Sequence, residues 1–308
     1  MSQSYDDCLV ELCQADEKFI ILTAENRAAI RSLPERIPNQ FFDTGITEQT
    51  LVGVCAGLAL RGRTPFAHAL AAFLTMRAYE FIRTDIGIPK LPVKLVGFVP
   101  GLLSDGNGPT HQAIEDIDIM SSVPGMQIFC PADTNELIEG VQLFSQEQAP
   151  TYIRYIQRQN VFSANQSGFD RIWQGSVFGT GSKNLIISTG FLSDHAHQVF
   201  LHLASQGYDC KHWHIPVIEP FPQEKALRLI HQADNLFILE DHRRRGGLGQ
   251  RFINLKAESA FTATLNHFDF GEGFFVPGRL DEVLKTSELD VDSVLKKIKE
   301  IIESRKVI

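Results

Sequence analysis

Phe41-Phe42-Asp43-Thr44-Gly45-Ile46-Thr47-Glu48-Gln49 passes from an apolar, strand-like run through a glycine turn into a helix of small residues, Leu51 to Leu60. Strand, tight turn and helix in that order form the repeating unit of an α/β fold. Such a junction lies at the carboxyl end of a strand, where α/β sheets bind ligands. Glu48 therefore places a carboxylate on the first turn of a helix at a binding edge. The positive helix terminus favours its ionised form, whereas the apolar Phe41, Phe42 and Ile46 disfavour charge. A carboxylate held between these tendencies is suited to sharing a proton with a neutral heterocycle. Taken alone, a first-turn Glu does no more than answer the helix dipole.

The same alternation extends in both directions. Residues 4–15 read as a helix, and Phe19 to Thr23 as a buried strand. Phe41 to Asp43 is a second strand with Thr50 to Leu60 as its helix. Thr64 to Leu70 is a third, followed by a helix from Phe73 to Ile86, and Val93 to Val99 is a fourth that opens into a Gly-rich loop. Gln127 to Pro131 is a fifth strand, and Thr134 to Ser145 its helix. Short β-rich runs alternating with helices specify a mostly parallel sheet. A polar stretch from about Gln157 to Gly168 reads as a linker, after which the rhythm restarts. Asn184 to Thr189, Lys211 to Val217 and Asn235 to Glu240 are strands; His195 to Gln206, Leu227 to Gln232 and the run from Gly249 are helices. A tail helix runs from Asp292, its expected N-cap, to Ser304 with Val294, Ile298 and Ile302 on one side. The expectation is α/β: two three-layer α/β/α domains with mostly parallel sheets, residues 1–165 and 166–308.

Composition sets limits on function. A chain of 308 residues with 44% hydrophobic and 21% charged residues is ordinary globular material, large enough for two cores. The net charge of -8 argues against nucleic acid as the main partner. No run approaches membrane-spanning length, and the start has no basic and apolar leader pattern, so a cytoplasmic location is expected. Cys8, Cys13, Cys55, Cys130 and Cys210 are scattered without paired spacing, which fits reduced thiols. The basic run Arg243-Arg244-Arg245 reads as a local anion or partner contact.

Two further segments carry chemistry. Ala72-Phe73-Leu74-Thr75-Met76-Arg77-Ala78-Tyr79-Glu80 sets Phe73, Met76, Arg77 and Tyr79 near one helix end. Ser104-Asp105-Gly106-Asn107-Gly108-Pro109-Thr110-His111-Gln112 delivers a histidine from a Gly-rich loop, at what reads as the N-terminus of a helix from Ala113 to Met120. A loop histidine is suited to proton transfer near neutral pH.

Gly45-Ile46-Thr47-Glu48-Gln49, the Phe-Leu…Arg-Ala-Tyr helix and Gly-Pro-Thr-His-Gln, in this order, resemble the pyrimidine-binding domain of transketolases. Relatives include deoxyxylulose phosphate synthase and the β subunits of 2-oxo acid dehydrogenases. Leu239-Glu240-Asp241-His242 followed by Gly246-Gly247-Leu248-Gly249 is similar to their C-terminal domain. The resemblance implies thiamine diphosphate as cofactor. Glu48 is carried over as the acid that activates its aminopyrimidine, with Phe73, Met76, Arg77 and Tyr79 around the ring. His111 is carried over as a catalytic and substrate-contacting residue, and Asn107, Arg158 and Arg27 as substrate contacts. Asn107 stands where transketolases place an acidic residue, and Val99 or Pro100 where they often place a histidine. Both differences turn the expectation from an ordinary pentose phosphate towards a modified sugar or a two-carbon transfer in a specialised pathway.

The family's diphosphate domain uses a Gly-Asp-Gly…Asn motif, and no Gly-Asp-Gly occurs in this sequence. The resemblance thus implies a pyrimidine-binding subunit of a two-chain transketolase. A separate subunit would carry the diphosphate with Mg2+ or Ca2+, in a self-associating α2β2 heterotetramer. The alternatives are a β subunit of a 2-oxo acid decarboxylating complex, a deoxyxylulose phosphate synthase-like enzyme, and a regulatory subunit that keeps the fold.

Overall fold

A computed structural model describes residues 3–25, 29–159, 161–162, 169–259 and 261–304. The chain divides into two compact units: Met1–Pro100 with Asp116–Asn160, and Gly101–Glu115 with Val161–Ile308.

The first unit is built on β1 (Phe19–Thr23), β2 (Phe41–Asp43), β3 (Thr64–Leu70), β4 (Lys94–Phe98), β5 (Gln127–Phe129) and β6 (Thr151–Arg154). These strands lie in the order β5-β6-β4-β3-β1-β2, and every pairing between them is parallel. Every residue of β1 and β4 is buried, as two-sided coverage by helices requires. β2 and β3 flank β1 on opposite sides, so the chain crosses back over β1 between them. That crossing begins in the helix Glu48–Leu60. Reversal of strand order opens the crevice in which open α/β sheets hold ligands.

Two local expectations change. The helix read from Phe73 to Ile86 is not continuous: Phe73–Arg77 and Ile82–Gly87 are wound as π-helix around a single α turn, Tyr79–Phe81. Such widened turns recur at functional sites. The sequence reading also passed over β6, which is fully buried although it ends in Arg154. The charge is answered by Asp116, thirty-eight positions away, which no local pattern announces.

In the second unit, β7 (Ser176–Phe178), β8 (Asn184–Ser188), β9 (Cys210–His214), β11 (Asn235–Leu239) and β12 (Thr264–Phe268) form a sheet ordered β12-β11-β8-β9-β7; the short strand β10 (Val217–Glu219) follows β9 in the chain. All its pairings are parallel except β7 with β9. Trp213, Ile215, Leu236, Ile238 and Phe252 fill its core. The half-buried edge strand β12 and the helices Phe169–Gln174 and Leu280–Thr286 lacked a readable period in the sequence. The tail helix spans Val291–Ser304 and buries Val294, Ile298 and Ile302. Asp290, rather than the expected Asp292, accepts the first-turn N–H of Ser293 at 3.1 Å. All five cysteines are buried and free of disulfides. No described helix is long and apolar enough to cross a membrane.

Candidate active site

Glu48 is the first residue of its helix and only 2% exposed. The turn before it is locked. Gly45 adopts φ +70°, a conformation that glycine reaches without strain. The Asp43 carboxylate accepts the Gly45 N–H at 2.9 Å and the Glu25 N–H at 3.1 Å, and Thr44 N–H donates to Thr23 O at 2.9 Å. The expectation that Phe42 and Ile46 shield Glu48 is corrected: they are 49% and 67% exposed and turn outward. Glu48 instead accepts a hydrogen bond from Arg77 Nη1 at 2.7 Å. The guanidinium carbon of Arg77 stands 4.5 Å from the centre of the Phe73 ring. A buried carboxylate without a partner would be costly, and this ion pair with its aromatic floor supplies one. Phe73 and Arg77, four positions apart, lie on one side of this helical stretch, and the guanidinium bridges the ring and Glu48.

Met76 and Tyr79 line an open cavity of about 470 Å3, together with Thr75, Asp118, Ile119 and Ser122. The Tyr79 hydroxyl and Ser122 Oγ lie 2.6 Å apart, which fixes the tyrosine. In the same unit Asp116 accepts from Tyr152 Oη at 2.6 Å and from Arg154 Nε at 2.9 Å and Nη2 at 3.3 Å. All three residues are buried, and none was picked out from the sequence. The signal was present only as a strand ending in Arg and a helix starting with Asp.

His111 belongs to the second unit, with the loop Gly101–Glu115. It does not begin a helix, which is a correction: the following helix starts at Asp116, and His111 closes a turn through its N–H to Gly108 O at 3.0 Å. Gly108 at φ +82° and Pro109 set that turn. Thr110 Oγ1 engages His111 Nδ1 at 2.9 Å. Asn107 is exposed in the same loop. Arg158, in the first unit, is half-buried, and its backbone is tied to the start of the helix Thr134–Gln146: Thr134 Oγ1 donates to Arg158 O at 2.8 Å. Arg27 lies outside the described residues.

The Leu239-to-Gly249 segment is a helix anchor. Glu240 is fully buried and accepts from Leu248 N–H at 2.7 Å, Gly249 N–H at 2.8 Å and His267 Nε2 at 2.6 Å. A Cβ at Gly247 would sit 2.0 Å from Glu240 Oε2, which explains the glycine. Burial opposes charge on Glu240, but His267 and the helix N–H groups outweigh it and lower its pKa. His267 is likewise opposed by burial and raised by Glu240 and Asp269. In the basic run Arg244 pairs with Asp269 at 3.2 Å and Arg245 with Glu272 at 3.6 Å.

Among the described residues, no group of three or more His, Cys, Asp or Glu side chains is arranged to hold a metal ion. A larger cavity of about 720 Å3, at the start of β8 and β11, contains none of the residues selected from the sequence.

These two α/β units, with a buried glutamate at the crossover of the first, define a class also identified by comparison with known proteins. The family model for the transketolase pyrimidine binding domain matches residues 1–162, and that for the transketolase C-terminal domain matches residues 175–294. The chain belongs to the transketolase family and comprises these two domains, as in the corresponding subunit of a split transketolase. It is similar to the 6-deoxy-6-sulfo-D-fructose transketolase subunit SqwH of Clostridium sp. (strain MSTE9), at 30% identity over 81% of this chain and 78% of that protein. A putative transketolase C-terminal section of Methanocaldococcus jannaschii is 28% identical over 97% of this chain and 95% of its own length. Among solved structures, a split gene transketolase in an inactive beta4 tetramer superposes with a TM-score of 0.84 at 28% identity, covering 96% of this chain and 95% of that chain.

Proposed function

We propose that this chain is the pyrimidine-binding subunit of a two-chain transketolase that transfers a two-carbon ketol unit between sugar or sugar-phosphate substrates. The observation that carries this reading is Glu48: a buried carboxylate at a helix N-terminus, at the sheet's crossover, paired with a cation that lies over an aromatic ring. That donor set suits an aminopyrimidine, which takes a proton or hydrogen bond at its ring nitrogen and stacks on an aromatic face. Thiamine diphosphate, when bound, supplies a thiazolium carbon that becomes nucleophilic on losing its proton. Glu48 holds the proton shared with the pyrimidine nitrogen, and Arg77 fixes the position of its carboxylate. Phe73, Met76 and Tyr79 provide the flanks of the ring slot. His111 donates to and accepts from the substrate hydroxyl during C–C cleavage. Asn107, Arg158 and Arg27 contact the substrate, Arg158 through the forked geometry that suits a phosphate.

In this reading a separate subunit carries the diphosphate and its Mg2+ or Ca2+, as supported by the similarity to a split gene transketolase chain over 95% of its length. Assembly with a partner and a second copy as an α2β2 heterotetramer is supported by the tetrameric split gene transketolase to which this chain is similar. Glu48→Gln tests the assignment. In the assembled complex, this variant should bind the cofactor yet lose deuterium exchange at the thiazolium carbon. Exchange at the wild-type rate would remove Glu48 from its role.

A further inference from the structure

The loop that carries His111 is held by a segment of the second unit that no sequence motif marks. Gln112 is fully buried, and its Nε2 donates to Phe275 O at 2.8 Å. Its Oε1 has no partner among the described residues. Reversing the amide would set two oxygens face to face, so the Phe275 carbonyl dictates the orientation. Phe275 is itself anchored: it is 6% exposed, and its ring centre lies 5.1 Å from that of Phe270. Two backbone bonds reinforce the grip, Gly278 N–H to Asp105 O at 3.2 Å and Arg243 N–H to Ile114 O at 2.9 Å. Gly101 N–H to Ala113 O at 2.9 Å closes the neck of the loop. Of these contacts only the Gln112 bond comes from a side chain adjacent to His111.

We propose that Gln112 is a positioning residue, which ties the His111 loop to the carbonyl of Phe275 and thereby aims the imidazole at the substrate. The role in transfer rests on the proposed function of His111; the hold on the loop does not. Gln112→Met keeps the length and removes the donor, and Gln112→Leu removes it with a second apolar side chain of different shape. Two measurements decide. Hydrogen exchange of the full-length chain should accelerate in residues 104–112 of both variants, with the rest of the second unit unchanged. In the assembled complex, ketol transfer should fall by about 10- to 100-fold, the scale of a misplaced catalytic group, while deuterium exchange at the cofactor carbon stays at the wild-type rate. Unchanged loop exchange, loosening throughout the second unit, or full transfer by a complex whose loop has loosened would each overturn the proposal. A wild-type complex without transfer would instead refute the ketol-transfer reading, and the hydrogen-exchange arm would still decide whether Gln112 holds the loop.

Discussion

Asp116 is held by two buried donor residues: Arg154 forks onto it and Tyr152 adds a third hydrogen bond. Such a cluster is poor evidence of net stabilisation, because desolvating two charges offsets most of their attraction. Removing one member is a different matter, since it strands a charge in the interior. Arg154→Met should therefore cost about 3–5 kcal/mol, read as a lowered urea midpoint with an unchanged slope. A loss under 1 kcal/mol would mean that water reaches Asp116. Glu48 follows the opposite logic. Its partner Arg77 is 41% exposed at the side chain, so the pair is open to solvent on one side and contributes less to stability. A carboxylate bound that way is available for chemistry.

At the scale of elements, the helix Leu248–Ser259 depends on a side chain outside it. Glu240 caps its first N–H groups and is itself held by His267. Glu240 is shifted below its ordinary value of 4.5, so its contribution is present above that pH and is lost as pH falls through the lowered folded value. His267 is shifted above 6.5, so its contribution is present below that pH and is lost as pH rises through the raised value. The pair contributes fully between about 4.5 and 6.5. His267→Gln retains a donor to Glu240 without the titration. The difference in melting temperature between wild type and this variant should be largest inside that window and shrink towards alkaline pH. A constant difference from pH 5 to 9 would contradict the ion pair. The same elements explain what sequence could reveal. Buried strands such as β1 and β8 announce themselves because every residue is apolar or small. β6 and β12 do not, since Arg154 is answered by Asp116, 38 positions away, and His267 by Glu240, 27 positions away, as well as by nearby Asp269. Glu48 was legible from its glycine turn and Arg77 from the Phe-Leu…Arg-Ala-Tyr segment, but their direct ion pair was not, since it joins side chains 29 positions apart.

At the scale of the whole molecule, the chain holds the pyrimidine-binding and C-terminal domains of a transketolase and spans 95% of the M. jannaschii protein to which it is similar. The proposed function needs a second polypeptide to carry the diphosphate, and the split gene transketolase that this chain resembles over 95% of that chain supports such a division. The direct measurement is reconstitution: ketol transfer and thiamine diphosphate binding by the purified chain alone, by the purified partner alone, and by the two mixed. The mixture should bind the cofactor and transfer ketol groups, with neither activity in this chain by itself. Ketol transfer at full rate by the isolated chain would contradict the account.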